Sequence, residues 1–122
     1  TPKHTDTILD GVTRKSVITV ARDSGIEVEE RDIEVSEIIE EFEKGNLIEV
    51  FGAGTAAVIA PIISFGYKEK KYTLNSVENQ YGPIIKRKIT DIQNNISEDD
   101  YNWRYQILWP YFSRISLIFG LK

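Results

Sequence analysis

The apolar residues of this chain change period several times, and each change marks an element. Over residues 13–24, Val17, Val20, Ala21 and Ser24 recur at helical spacing with Ile18 broadening the face, which predicts an amphipathic helix. Gly25 follows as its C-terminal cap. Ile26, Val28 and Glu30 then alternate with Glu27, Glu29 and Arg31, the period of a half-exposed strand. Ser36 is placed to cap a second helix, with Ile38, Ile39 and Phe42 on its inner side and Gly45-Asn46 at its end. Residues 47–51 read as a short strand entering the turn Gly52-Ala53-Gly54-Thr55-Ala56. Residues 56–65 read as a buried strand in which Pro61 marks an edge or a bulge. Gly66-Tyr67 and the run Lys68-Glu69-Lys70-Lys71 predict an exposed hairpin turn, with Tyr72-Thr73-Leu74 as its return. After a loop at Asn79-Gln80-Tyr81-Gly82, Pro83 opens a helix whose Ile85, Ile89, Ile92 and Ile96 fall at helical steps. The entering segment before these elements has one apolar pair, Ile8-Leu9, and a turn signal at Asp10-Gly11.

The end of the chain breaks with this pattern. Residues 104–122 carry no acid, while Trp109, Tyr111, Phe112, Ile115, Leu117, Ile118 and Phe119 are bulky and apolar. Interrupted by Pro110 and Arg114, the run is too short to span a bilayer. Three readings stay open: a helix packed on a partner, a membrane-surface segment, or an extension poorly accommodated by the rest.

Composition narrows the classes. With 122 residues, 41% hydrophobic and 28% charged, the chain suits one ordinary globular domain. A formal charge of -4 argues against nucleic acid as a partner. Absent cysteine rules out disulfides, a thiolate nucleophile and cysteine metal sites, and the single histidine, His4, makes no metal cluster by itself. The start, Thr1-Pro2-Lys3-His4, has no signal-peptide pattern and is expected to belong to something longer.

Two places carry anion-binding chemistry. The glycines and Thr55 of the 52–56 turn would bring backbone N–H groups and a hydroxyl close to a ligand, or the turn simply joins two strands. At the first helix, the N–H groups of Val12, Thr13 and Arg14 are free to meet a phosphate, or they form an ordinary start with a threonine cap and a solvated arginine. The acids Glu37, Glu40, Glu41 and Glu43 read as a solvated helix face, and Lys86-Arg87-Lys88 as a wet one.

Taken together, LDGVTRKSVITVARDSGIEVEERDI, GNLIEVFGAGTAAVIAPI and VENQYGPIIKRKITDIQ resemble the C-terminal half of branched-chain amino acid aminotransferases. These are fold-type IV pyridoxal phosphate enzymes, class IV aminotransferases. Several blocks occur in the right order and at the right separations over residues 5–103, and Trp103 matches a tryptophan near the family's end. The resemblance implies an α/β fold (mixed α+β), the C-terminal portion of the large cofactor-binding domain. Residues 1–103 would form that partial domain and 104–122 a divergent hydrophobic and basic segment. It further implies that Gly11, Val12, Thr13 and Thr55 hold the cofactor phosphate, and that Thr55 and Ala56 receive the substrate carboxylate. Some animal members carry a Cys-x-x-Cys pair after Gly-Thr-Ala; Ala57 and Ala60 stand there in this chain.

The family's Schiff-base lysine and the acidic partner of the pyridine nitrogen lie upstream of the segment matching Gly11-Val12-Thr13-Arg14. Lys3 and Lys15 match no such position, so no catalytic residue is assigned in this chain. The implied function is transfer of the amino group of leucine, isoleucine or valine to 2-oxoglutarate by a complete, homodimeric enzyme, cytoplasmic or mitochondrial, with no nucleic acid partner. The isolated chain is expected to be inactive and prone to self-association through uncovered sheet edges. The alternatives are a non-catalytic interaction domain or truncated product retaining the family sequence, or a relative of D-amino acid aminotransferases or aminodeoxychorismate lyases.

Overall fold

A computed structural model describes residues 1–5, 11–74, 81–109 and 112–118. The turn expected at Asp10, the apolar pair Ile8-Leu9 and the loop at Asn79-Gln80 lie outside the described residues. Helix α1 (Val12–Asp23) buries Ser16, Val17, Ile18, Val20 and Ala21, the face that the spacing predicts. It ends where Gly25 adopts φ 79°. There the N–H of Ile26 reaches Ala21 O at 3.0 Å and that of Gly25 reaches Arg22 O at 2.9 Å. This pair of bonds satisfies the last carbonyls and needs a left-handed residue. Helix α2 (Val35–Glu43) ends the same way at Gly45, φ 79°. Its N-cap is Glu34 rather than Ser36, with no side-chain cap bond; Ser36 sits one residue inside and its hydroxyl bonds the Glu34 carboxylate at 3.2 Å.

Residues 26–29 show the expected alternation in burial, with Ile26 and Val28 half-buried, but Glu30 is exposed like Glu29 and Arg31, and the stretch forms no strand. Their neighbour is the short stretch 1–3: Thr1 N donates to Glu29 O at 2.9 Å, Arg31 N to Thr1 O at 3.1 Å and Lys3 N to Arg31 O at 3.2 Å. Alternation places the side chains, but a strand also requires a ladder, and this one is too short.

The 47–65 region differs from the reading of one strand, a glycine turn and another strand. Strand β1 (Phe51–Gly54) contains Gly52-Ala53-Gly54 and pairs antiparallel with β2 (Val58–Pro61) in the register Phe51↔Pro61 to Gly54↔Val58. The turn is therefore Thr55-Ala56-Ala57. The expected buried strand over 56–65 is divided: Val58 and Ile59 are buried, whereas Ala60, Pro61 and Ile62 are exposed. A second hairpin follows, β3 (Ser64–Tyr67) with β4 (Lys70–Thr73). Its two turn residues, Lys68 and Glu69, have φ 46° and 61°, the mirror-image turn whose twist matches the strands. Phe42 of α2 meets Phe65 and Tyr72 of this hairpin edge-on, at 6.1 and 5.3 Å between ring centres.

Helix α3 (Tyr81–Gln93) buries Gly82, Ile85, Ile89 and Ile92. Ile96 does not continue that face; it lies beyond the helix end and is 73% exposed, because the chain turns at Asn95, φ 59°. Pro83 lies in the first turn, where its missing N–H costs no intrahelical bond. The last segment is a hairpin, β5 (Arg104–Trp109) with β6 (Phe112–Ile118), which removes the helical alternative. Its β-branched and aromatic composition favours the extended form.

Helix α1 packs on α3 and β1, and α3 also on β2. Val17, Val20, Ala21, Val58, Ile59, Ile85, Ile89, Ile92 and Trp103 form the core, with Phe51 and Tyr101 against it. Helices and small antiparallel sheets thus make the mixed α and β fold expected of the sequence. Among the described residues no helix is long and apolar enough to cross a membrane.

Candidate functional site

The start of α1 is built as a donor end. Its N-cap is Gly11, extended at φ -73° and ψ 130°; no side chain caps it and no acid stands in the first turn. Threonine is thus not the cap: Thr13 lies inside the helix. The first N–H groups of a helix have no intrahelical acceptor, and here the positive end of the dipole meets no local carboxylate from the first turn. Val12 is exposed and Thr13 half-buried.

Arg14 is not the solvated side chain expected of it. Its Nη2 donates to Pro2 O at 2.6 Å and to Glu30 Oε1 at 3.1 Å, and its side chain is 20% exposed. The other Glu30 oxygen accepts from Arg22 Nη2 at 3.1 Å. The hydrogen bond from Arg14, seconded by Arg22, outweighs partial desolvation and holds the Glu30 carboxyl below its ordinary range. The guanidinium is therefore partly engaged through Nη2, and the helix start also offers its backbone N–H groups as anion donors.

The second predicted element is the three-residue turn Thr55-Ala56-Ala57, exposed throughout and closed by the pair Gly54↔Val58. Neither Gly52 nor Gly54 adopts a positive φ, so a tight turn is not why glycine stands there. A Cβ on either would meet nothing within 4 Å, which leaves their backbone open to close approach. The strained residue is Val58, at φ 59°. Ile59 N donates to Ala57 O at 2.7 Å, so Val58 is the middle of a γ-turn of the rare positive-φ hand. A β-branched residue there is an outlier, costing about 1–3 kcal/mol that the surroundings must offset.

A cavity of about 430 Å³ lies between α1, β1 and the first residues; Arg14, Val17, Ile18, Phe51, Ala53 and Tyr81 are among its walls. Arg14 is in the first turn of α1 and Ala53 two residues before Thr55, so both predicted elements border one cavity. Gly11, Val12, Thr13, Thr55 and Ala56 themselves do not line it. The structure brings the helix start and the strand leading into the turn to one place; it does not set the predicted donors on a shared wall. The basic run of α3 is exposed but partly occupied: Lys88 Nζ donates to Ser24 Oγ at 2.7 Å and Lys86 Nζ to Ile59 O at 3.5 Å. Among the described residues no group of three or more His, Cys, Asp or Glu side chains is arranged to hold a metal ion.

Three residues had no signal in the sequence. Val58 reads as an ordinary strand former. Glu30 reads as one of many surface acids. Glu49 bonds Gly82 N, 33 positions away, with both carboxylate oxygens at 3.2 Å, and nothing local ties them.

An uncapped helix start and a small-residue turn with a threonine hydroxyl have the donor chemistry of a phosphate or carboxylate site. Comparison with known proteins agrees on the class. Residues 1–65, more than half of the chain, match the family described as amino-transferase class IV, and the chain belongs to that family. It is 42% identical over 110 residues to the probable branched-chain-amino-acid aminotransferase of Staphylococcus epidermidis, covering 88% of this chain and 30% of that protein. It is 36% identical over 110 residues to branched-chain-amino-acid aminotransferase 2 of Bacillus subtilis, with the same 88% and 30% coverage. The chloroplastic branched-chain-amino-acid aminotransferase 5 of Arabidopsis thaliana is 40% identical over 110 residues, 88% of this chain and 25% of that protein. The chain thus spans less than a third of the length of these relatives.

Proposed function

We propose that this chain supplies the anion-binding part of an intracellular branched-chain amino acid aminotransferase, acting on leucine, isoleucine or valine and 2-oxoglutarate as a homodimer. The observation that carries the reading is the 42% identity over 88% of the chain to a protein named for that activity. Residues 1–103 are then the partial cofactor domain and 104–122 an appended segment. Pyridoxal 5′-phosphate, when bound, supplies the electron sink for amino-group chemistry. The residues of this chain bind and orient. The N–H groups of Val12 and Thr13, freed by the extended Gly11, and the hydroxyl and N–H of Thr55 hold the phosphate. The N–H groups of Thr55 and Ala56 receive the substrate carboxylate. A helix start suits this because its donors and dipole are fixed before the anion arrives. No lysine of this chain is assigned a proton-transfer role.

The test is a chimera in which residues 1–103 replace the matching stretch of the Staphylococcus epidermidis relative, assayed with leucine and 2-oxoglutarate. Turnover is expected, and Thr55→Val should lower it by about 10–100-fold, the loss of the one hydrogen bond that its hydroxyl donates to a charged group. A folded chimera without turnover, or one indifferent to Thr55→Val, overturns the assignment. The chain alone should turn over no faster than free cofactor.

A further inference from the structure

Adjacent residues of a strand point to opposite faces, yet Val58 is 9% and Ile59 3% exposed and both belong to one core cluster. The positive φ at Val58 reconciles these facts. It rotates the residue so that its side chain enters the core beside that of Ile59, and the chain before it must then turn outward. Three residues are left between Gly54 and Val58, and these are Thr55, Ala56 and Ala57. The bond from Ile59 N to Ala57 O at 2.7 Å closes the γ-turn directly behind them.

We infer that Val58 is a positioning residue for the anion-binding turn, a role that rests on the reading of Thr55 and Ala56 proposed above. The core takes the valine side chain, and that burial imposes a backbone conformation the residue would not choose alone. The strain is held by burial of Val58 in the core cluster that also contains Ile59, Ile85 and Ile89, with β2 packed on α3, so the donors of Thr55 and Ala56 are presented already turned outward. Glycine at this position permits the same φ without enforcing it. Isoleucine keeps both the branch and the anchor.

The full 122-residue chain is titrated with inorganic phosphate, and backbone amide signals are followed by NMR, with the three-bond coupling at residue 58 reporting its φ. In the unaltered chain, the Thr55 and Ala56 amides should shift on phosphate addition. Val58→Gly should weaken the apparent affinity at these amides by about fivefold or more, since a freer backbone must be ordered on binding. Val58→Ile should stay within about twofold, as should Leu74→Ala, a truncation at a buried residue, 4% exposed and outside the Val58 cluster, that costs stability without touching the anchor. If Val58→Gly binds phosphate as the unaltered chain does, or if Leu74→Ala loses as much, the positioning role is overturned while the cradle stands. If Thr55 and Ala56 do not respond in the unaltered chain, the cradle falls and the inference with it.

Discussion

Gly82→Ala tests how the helix–hairpin core is assembled. Gly82 is buried in the first turn of α3, and its N–H lies 3.2 Å from both oxygens of Glu49. A Cβ there would sit 2.5 Å from Glu49 Oε1, 3.2 Å from Ile59 Cγ2 and 3.3 Å from Phe51 Cδ1. The carboxylate can swing away, but only by giving up its bond to the helix start. Ile59, 3% exposed, has nowhere to go. Losing a charge-assisted hydrogen bond costs about 1.5–3 kcal/mol, and overpacking adds about 1–3 kcal/mol. Alanine returns about 1 kcal/mol through helix propensity. The expected net loss is about 1.5–5 kcal/mol, read as a lowered urea midpoint at unchanged slope. Because the closest clash is with Glu49, the double variant Gly82→Ala with Glu49→Ala should be less damaging than the sum of the singles. A Gly82→Ala chain as stable as the unaltered one, or strict additivity in the double, would refute this account.

Other expectations follow from the same contacts. Burial pushes the Asp99 carboxyl upward, but the N–H groups of Trp103 and Arg104 and the Arg104 charge outweigh it and hold its pKa below the ordinary value. With the folded value below the unfolded one, this stabilisation is complete above about pH 4 and fades as pH falls through the folded value. Asp99→Asn should therefore lower Tm at pH 7, by the equivalent of about 1–2 kcal/mol, and flatten the loss of Tm below pH 4; parallel pH curves would contradict it. Phe42→Ala removes both edge-on contacts to the β3–β4 hairpin and should cost about 1.5–3 kcal/mol. Hydrogen exchange should then show α2, β3 and β4 losing protection together while α1 and α3 keep theirs. Ile89→Ala, at a core position 2% exposed, should cost about 2–5 kcal/mol in urea unfolding, as cavity formation in a packed core does.

What this chain's sequence determines by itself is local. The 3.6-residue period of Val17, Val20 and Ala21 and of Ile85, Ile89 and Ile92 specifies α1 and α3, because a helix face is set by neighbours three and four positions apart. Gly25 and Gly45 end their helices because only a residue at ease with positive φ closes the last carbonyls. The order of the Gly-Val-Thr-Arg and Gly-Thr-Ala blocks was likewise enough to mark the family. Ladder formation was legible at the 64–73 hairpin, whose turn the sequence marks, but not elsewhere. Residues 26–31 have the right alternation and no adequate partner, while Gly52-Ala53-Gly54, which reads as a turn, is a strand because β2 lies alongside it. Nor could the site's support be read. Arg14 appears solvated until Glu30 and Pro2 are brought beside it. Val58 reads as a plain strand residue until the core claims its side chain. These outcomes depend on groups distant in sequence, whose meeting is decided by the packing of α1 and α3 on the first hairpin. The small residues of the turn at Thr55 are legible locally, whereas its bounds are set by the pairing of β1 with β2 on either side.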